Sequence, residues 1–138
     1  MTITTATPTN LTGRRATVVL WALQVAMAAA FLMAAYTKFI GYPAAVEAFD
    51  RIGLGSWFIY FIGAVELAGA IGLLVPALCG LAALGLTGLL IGAVVTQLLV
   101  FEPATVITPA AYLIPIAVVA WGRRGRTVQL IRLMTRGR

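Results

Sequence analysis

Hydrophobic positions in this 138-residue chain fall into four long stretches, each near the length of a bilayer-crossing helix. The first runs from Thr17 to about Ile40, the second from Gly55 to about Val75. The third covers Gly80 to Phe101 and the fourth Ala104 to Trp121. Breakers separate them: Gly41-Tyr42-Pro43 after the first, Pro76 after the second, Glu102-Pro103 after the third. Residues 43–53 read differently. Val46, Phe49 and Ile52 share one helical face, while Glu47, Asp50 and Arg51 lie elsewhere. This predicts a short amphipathic helix resting in the outer membrane interface. The period-two alternation of strands is absent from the sequence. Only helices or closed barrels satisfy the backbone in lipid, and short connections force neighbours antiparallel. The predicted fold is therefore an all-α membrane protein, a four-transmembrane-helix up-down bundle with the amphipathic helix between helices one and two.

Small residues recur within the stretches. Ala22, Ala26, Ala30 and Ala34 form one stripe, Ala64, Ala68 and Gly72 a second, and Gly88 with Gly92 a GxxxG pair. Such stripes let a neighbouring helix backbone approach closely, so helix packing is their expected role. They also allow a homodimer without requiring one. Trp57, Phe58, Tyr60 and Phe61 read as an aromatic belt. Pro115 removes a backbone hydrogen bond inside the fourth stretch and predicts a kink.

Composition agrees with the pattern. The chain is 62% hydrophobic and only 10% charged, against roughly 25% in soluble domains. The charges are segregated. Arg14 and Arg15 precede the first stretch, and six arginines from Arg123 to Arg138 follow the last. An arginine excess beside both ends predicts cytoplasmic N and C termini in a multi-pass protein of the plasma membrane. Membrane lipids, especially anionic ones, are the expected partners of the basic tail, and nucleic acid is not. Residues 127–134 predict a short basic helix on the inner membrane surface. The expected organisation is a polar, disordered tail over 1–13, a membrane domain over 14–122 and a basic tail over 123–138. Arg14-Arg15 before an apolar run resembles a secretion signal, but the run is longer than a signal's apolar core.

The chemistry is sparse. There is no histidine and one cysteine, Cys79, so an internal disulfide and histidine-ligated haem are excluded. No metal site is expected, and electrons must come from a partner or a diffusible cofactor. One residue stands out. Glu66 lies near the middle of the second stretch, where a carboxylate costs about 2–4 kcal/mol. A cost of that size calls for a partner, a proton or a substrate. Lys38 and Tyr36 sit near the outer end of the first stretch, Thr96 and Gln97 near that of the third, and Tyr112 descends in the fourth. Glu66 lies about 15 Å inward from its own outer end. The inner half is nearly bare, with Gln24 and Thr87 as exceptions.

This asymmetry predicts an outward-facing cavity with Glu66 as its floor and Lys38 at its rim. Tyr112 and Gln97 would be walls, with Thr96 and Tyr36 beside them. Glu66, Lys38 and Tyr112 are the candidate catalytic groups; Gln97, Thr96 and Tyr36 are the candidate ligand-binding groups. Plainer roles compete. Glu66 can serve as interhelical glue to Thr96 or Gln97, Lys38 as a snorkelling anchor, and Cys79 as an inert core residue.

The first stretch ends Ala-Ala-Tyr-Thr-Lys-Phe (34–39), and the second contains Gly-Ala-Val-Glu-Leu-Ala-Gly-Ala-Ile-Gly-Leu-Leu (63–74). With the amphipathic segment between them, this order resembles the DoxX-like family of small four-helix membrane proteins over residues 17–122. In that family a Lys closes helix one and a Glu precedes a Gly-rich apolar run in helix two; Lys38 and Glu66 occupy those positions. The arginine-rich tail lies outside the pattern. The resemblance implies a membrane subunit linked to redox chemistry, as in thiosulfate:quinone oxidoreductases, or one associated with detoxifying enzymes in actinobacterial envelopes. The expected function is an accessory subunit that binds a quinone or similar lipophilic molecule around Glu66, with a redox partner protein supplying electrons. Two alternatives stay open. One is a stand-alone enzyme on an apolar substrate (isomerase, cyclase or epoxide-opening), with Glu66 as acid or base. The other is a small proton-coupled exporter.

Overall fold

The computed structural model describes residues 11–137, and every regular element in it is helical. In chain order these are α1 (Leu11–Phe39), α2 (Pro43–Ile52), α3 (Ser56–Leu74) and α4 (Cys79–Val100). A 3-10 turn (Pro103–Val106), α5 (Ile107–Gly122) and α6 (Arg124–Arg136) follow. Four segments are long and apolar enough to cross a membrane: Gly13–Phe39, Ser56–Leu74, Cys79–Val100 and Pro103–Gly122. Both ends of the described chain lie at one end of the bundle, the arginine-rich end. The α2 helix lies at the other.

Element ends differ from expectation where the cue was polarity alone. Helix α1 is already formed at Leu11, the first described residue, rather than beginning near Thr17. The backbone continues through Arg14, Arg15 and Thr17, and the Thr17 hydroxyl donates to the Gly13 carbonyl at 2.9 Å. Residues 11–13 of the expected tail are thus helical, while 1–10 lie outside the described residues. Helix α6 extends three residues before and two after the expected 127–134. Pro43 occupies the first turn of α2, and Gly53 closes that helix at φ 77°, its N–H bonded to the Phe49 carbonyl. A left-handed residue at that position favours glycine. Pro115 lies inside α5 without ending it.

The core is built from one face of each spanning helix. Helix α3 buries Ile59, Gly63, Glu66, Ala70 and Leu73, spaced by four and three. Met27, Ala28 and Phe31 of α1 meet Ala83, Leu86 and Leu90 of α4 and Ile116 and Val119 of α5. Of the predicted stripes, Gly72 is buried in a close helix contact, but most other positions are not in this core. Ala22 and Ala26 are exposed and Ala30 and Ala34 half-buried, and the buried face of α1 (Gln24, Ala28, Phe31, Ala35) lies one to two residues round the helix. Ala64 and Ala68 are exposed as well. A Cβ added at Gly88 or Gly92 would meet nothing within 4 Å. Close approach occurs at other glycines: a Cβ at Gly72 would lie 2.7 Å from that of Ala82, and one at Gly122 2.7 Å from Leu20.

Candidate functional site

The site begins with a helix end and a helix middle. Lys38 stands in the last turn of α1 and Glu66 halfway along α3, about two and a half turns apart in expected depth. Two local features close that gap. Helical side chains lean toward the N-terminus of their own helix. Lys38 follows this lean: its Nζ donates to the Ala34 carbonyl at 3.3 Å, one turn deeper. Gly63, one turn from Glu66, supplies the space. A Cβ there would touch the Lys38 stem and the Phe39 ring, each at 3.4 Å.

Lys38 Nζ thereby reaches both carboxylate oxygens of Glu66. It donates to Oε1 at 3.0 Å and lies 2.8 Å from Oε2. Glu66 as a residue is 8% exposed, and the Lys38 side chain 12%. The pair is therefore enclosed by packing. The ring of Phe49, from α2, lies 5.8 Å from Nζ and covers the ammonium. Phe49 packs in turn on Phe58 of α3 at 5.6 Å. Helix α2, which buries no residue of its own, thus covers the ion pair.

The other predicted site residues are not gathered round Glu66. Thr96 turns its hydroxyl back to the Gly92 carbonyl at 2.8 Å, within its own helix. Gln97 accepts a hydrogen bond from Thr105 at 2.6 Å and ties α4 to the 3-10 turn. Tyr112 packs against Phe31 with ring centroids 6.1 Å apart, and Tyr36 is exposed. Glu66, 8% exposed, is nearly closed off from the surface. A groove of about 300 Å³ lies between α3 and α4, lined by Val65, Ala68, Gly69, Leu81 and Leu86 among others, and Glu66 is not on its wall.

A second buried polar contact was missed by sequence reasoning. Gln24 is fully buried. Its Nε2 donates to the Leu73 carbonyl at 2.7 Å, and its Oε1 accepts from Arg123 Nε at 2.8 Å. Leu73 is next to the last residue of α3, where carbonyls lack helical partners. Gln24 satisfies one of them. The Arg123 guanidinium lies over the Trp21 ring at 5.5 Å, and its Nη2 is buried without a hydrogen-bond partner. The available signal was an amide inside an apolar stretch, which demands a partner just as Glu66 does.

The DoxX-like family pattern matches residues 22–120, well over half of the chain. The chain belongs to the DoxX-like family. No curated protein and no solved structure matches it. Membership and four membrane-length helices together make this a membrane protein. Gln24, Lys38 and Glu66 all fall inside the DoxX-like region, whereas Arg123 and α6 lie beyond it. The Gln24–Arg123 contact therefore joins the family region to a segment outside it.

Proposed function

We propose that this DoxX-like chain is the membrane subunit of a redox system, and that it receives a quinone or similar lipophilic carbonyl compound at the Lys38–Glu66 pair. The enclosed ion pair is the observation that carries the reading. An ion pair among apolar helices costs more to desolvate than it returns unless something else uses it. A quinone offers two carbonyl oxygens, which accept hydrogen bonds, on an apolar body that partitions into lipid. Lys38 Nζ, now spread over Ala34 and Glu66, would turn one donor to such an oxygen. Glu66 would keep the ammonium in place and accept or return a proton as the ligand changes redox state. Access would come from the α2 end, past Phe49, since α2 covers the pair and buries nothing of its own. Electrons would come from a partner protein, because the chain has no histidine and one cysteine.

Proton-coupled export draws less support, because Glu66 carries a fixed cation partner rather than a free carboxylate. Native mass spectrometry of the protein purified gently from its own membranes tests the proposal. Bound quinone or a stoichiometric redox partner is expected, with quinone lost in Glu66→Gln. A chain carrying only phospholipid, or equal quinone retention in Glu66→Gln, overturns it and turns attention to acid–base enzymology on apolar substrates.

A further inference from the structure

We infer that α6, held in place through Arg123, is a lipid-surface helix that holds the phosphate headgroups of anionic phospholipid at the arginine-rich end of the bundle. This rests on observations independent of the Lys38–Glu66 pair. The first is charge. Arg14, Arg15 and the five described arginines from Arg123 to Arg136 lie at this end, while the four acids are Glu47, Asp50, Glu66 and Glu102. Among the described residues, no arginine at this end is paired with a carboxylate.

The second is attachment. Helix α6 is fixed to the bundle by two contacts. Gly80 of α4 lies so close to Thr127 that an added Cβ would overlap its hydroxyl, and would lie 2.6 Å from the Arg123 carbonyl. Arg123, which caps the start of α6, is gripped by Gln24 from α1. The arginines are therefore presented at a set position across the bundle end rather than on a loose tail.

The third is amphipathicity with an uncovered apolar side. Thr127 and Leu130 are half-buried toward the bundle, and Ile131 and Met134, each one turn further along that same side, are exposed. Arg132 and Arg136 share another side, one turn apart. Such a helix settles with its apolar side at the acyl boundary and its arginines among headgroups. The tryptophans agree with this depth. Arg124 lies over the Trp121 ring at 4.4 Å and donates to the Trp121 carbonyl, and Trp21 underlies Arg123. Rings at this level suit the membrane interface. A nucleic acid would answer the charge but leave Ile131 and Met134 in water. A lipid surface answers both.

The test uses the full chain in nanodiscs of phosphatidylcholine alone or mixed with phosphatidylglycerol. Trypsin cleavage after Arg126 is followed by mass spectrometry. Each surface cation adds roughly a fivefold preference for anionic lipid. Two engaged arginines therefore predict about 25-fold slower cleavage in the mixed discs. Arg132→Gln with Arg136→Gln is expected to remove most of that protection, while Glu66→Gln retains it. Equal cleavage in the two discs overturns the inference. Because a variant can misfold, wild-type protein eluted from an equimolar lipid mixture is also weighed intact. Preferential retention of phosphatidylglycerol supports the inference, and equal retention of both lipids overturns it.

Discussion

A buried cation and anion 2.8 Å apart behave as one unit, and substitutions at the pair should show it. Lys38→Met leaves the Glu66 carboxylate without its only cation, and stranding a buried charge costs about 3–5 kcal/mol. Removing both charges leaves nothing stranded. The double variant Lys38→Met/Glu66→Gln is therefore expected to melt well above Lys38→Met alone in detergent. Additive losses in that cycle would show that the two side chains are not coupled. Here the sequence was readable in part. The cost of an acid inside a span marked Glu66, and the helix-one Lys marked Lys38. The contact between them depended on the backward lean of Lys38 and on the space at Gly63, which no spacing rule contains. Gln24 was visible as an anomaly, but its partners, Leu73 and Arg123, are 49 and 99 residues away.

Helix contacts turn on which glycines face a neighbour. Gly72 has Ala82 against it and Gly88 faces open space. Gly72→Leu should force the α3–α4 pair apart, at about 1–3 kcal/mol, the usual cost of overpacking. Gly88→Ala should leave the stability of the monomer unchanged or slightly raise it. Thermal melts of the two variants check this, and a stability loss at Gly88 would indicate a contact made outside the single chain. The cross-linked mass in native membranes reads that second possibility directly. The sequence displayed both glycines alike, since each lies in a small-residue motif of an apolar helix. Helix α2 was easier to read: mixed polarity, Pro43 at its start and Gly53 at its end together define both its face and its length.

For the whole molecule, charge sets the orientation. With eight arginines in the two terminal segments of the sequence and none of the four acids there, both termini should face the cytoplasm. A Gly137→Cys variant in a Cys79→Ala background should react with a membrane-impermeant maleimide only after the cells are opened. Labelling of intact cells would reverse the topology, and with it the leaflet that α6 meets. Four spans, their order, the amphipathic helix and the charge asymmetry all followed from the sequence, because each rests on length and polarity along the chain. The rotation of each span did not. Lipid tails are as apolar as a protein core, so a spanning helix is greasy on every side and its pattern does not show which side is packed. Ala22 and Ala26 therefore faced outward against expectation, while Gln24, Ala28 and Phe31 turned in. Tertiary packing chose those faces through backbone approach at Gly63, Gly72 and Gly80, and through the need to pair each buried polar group with another.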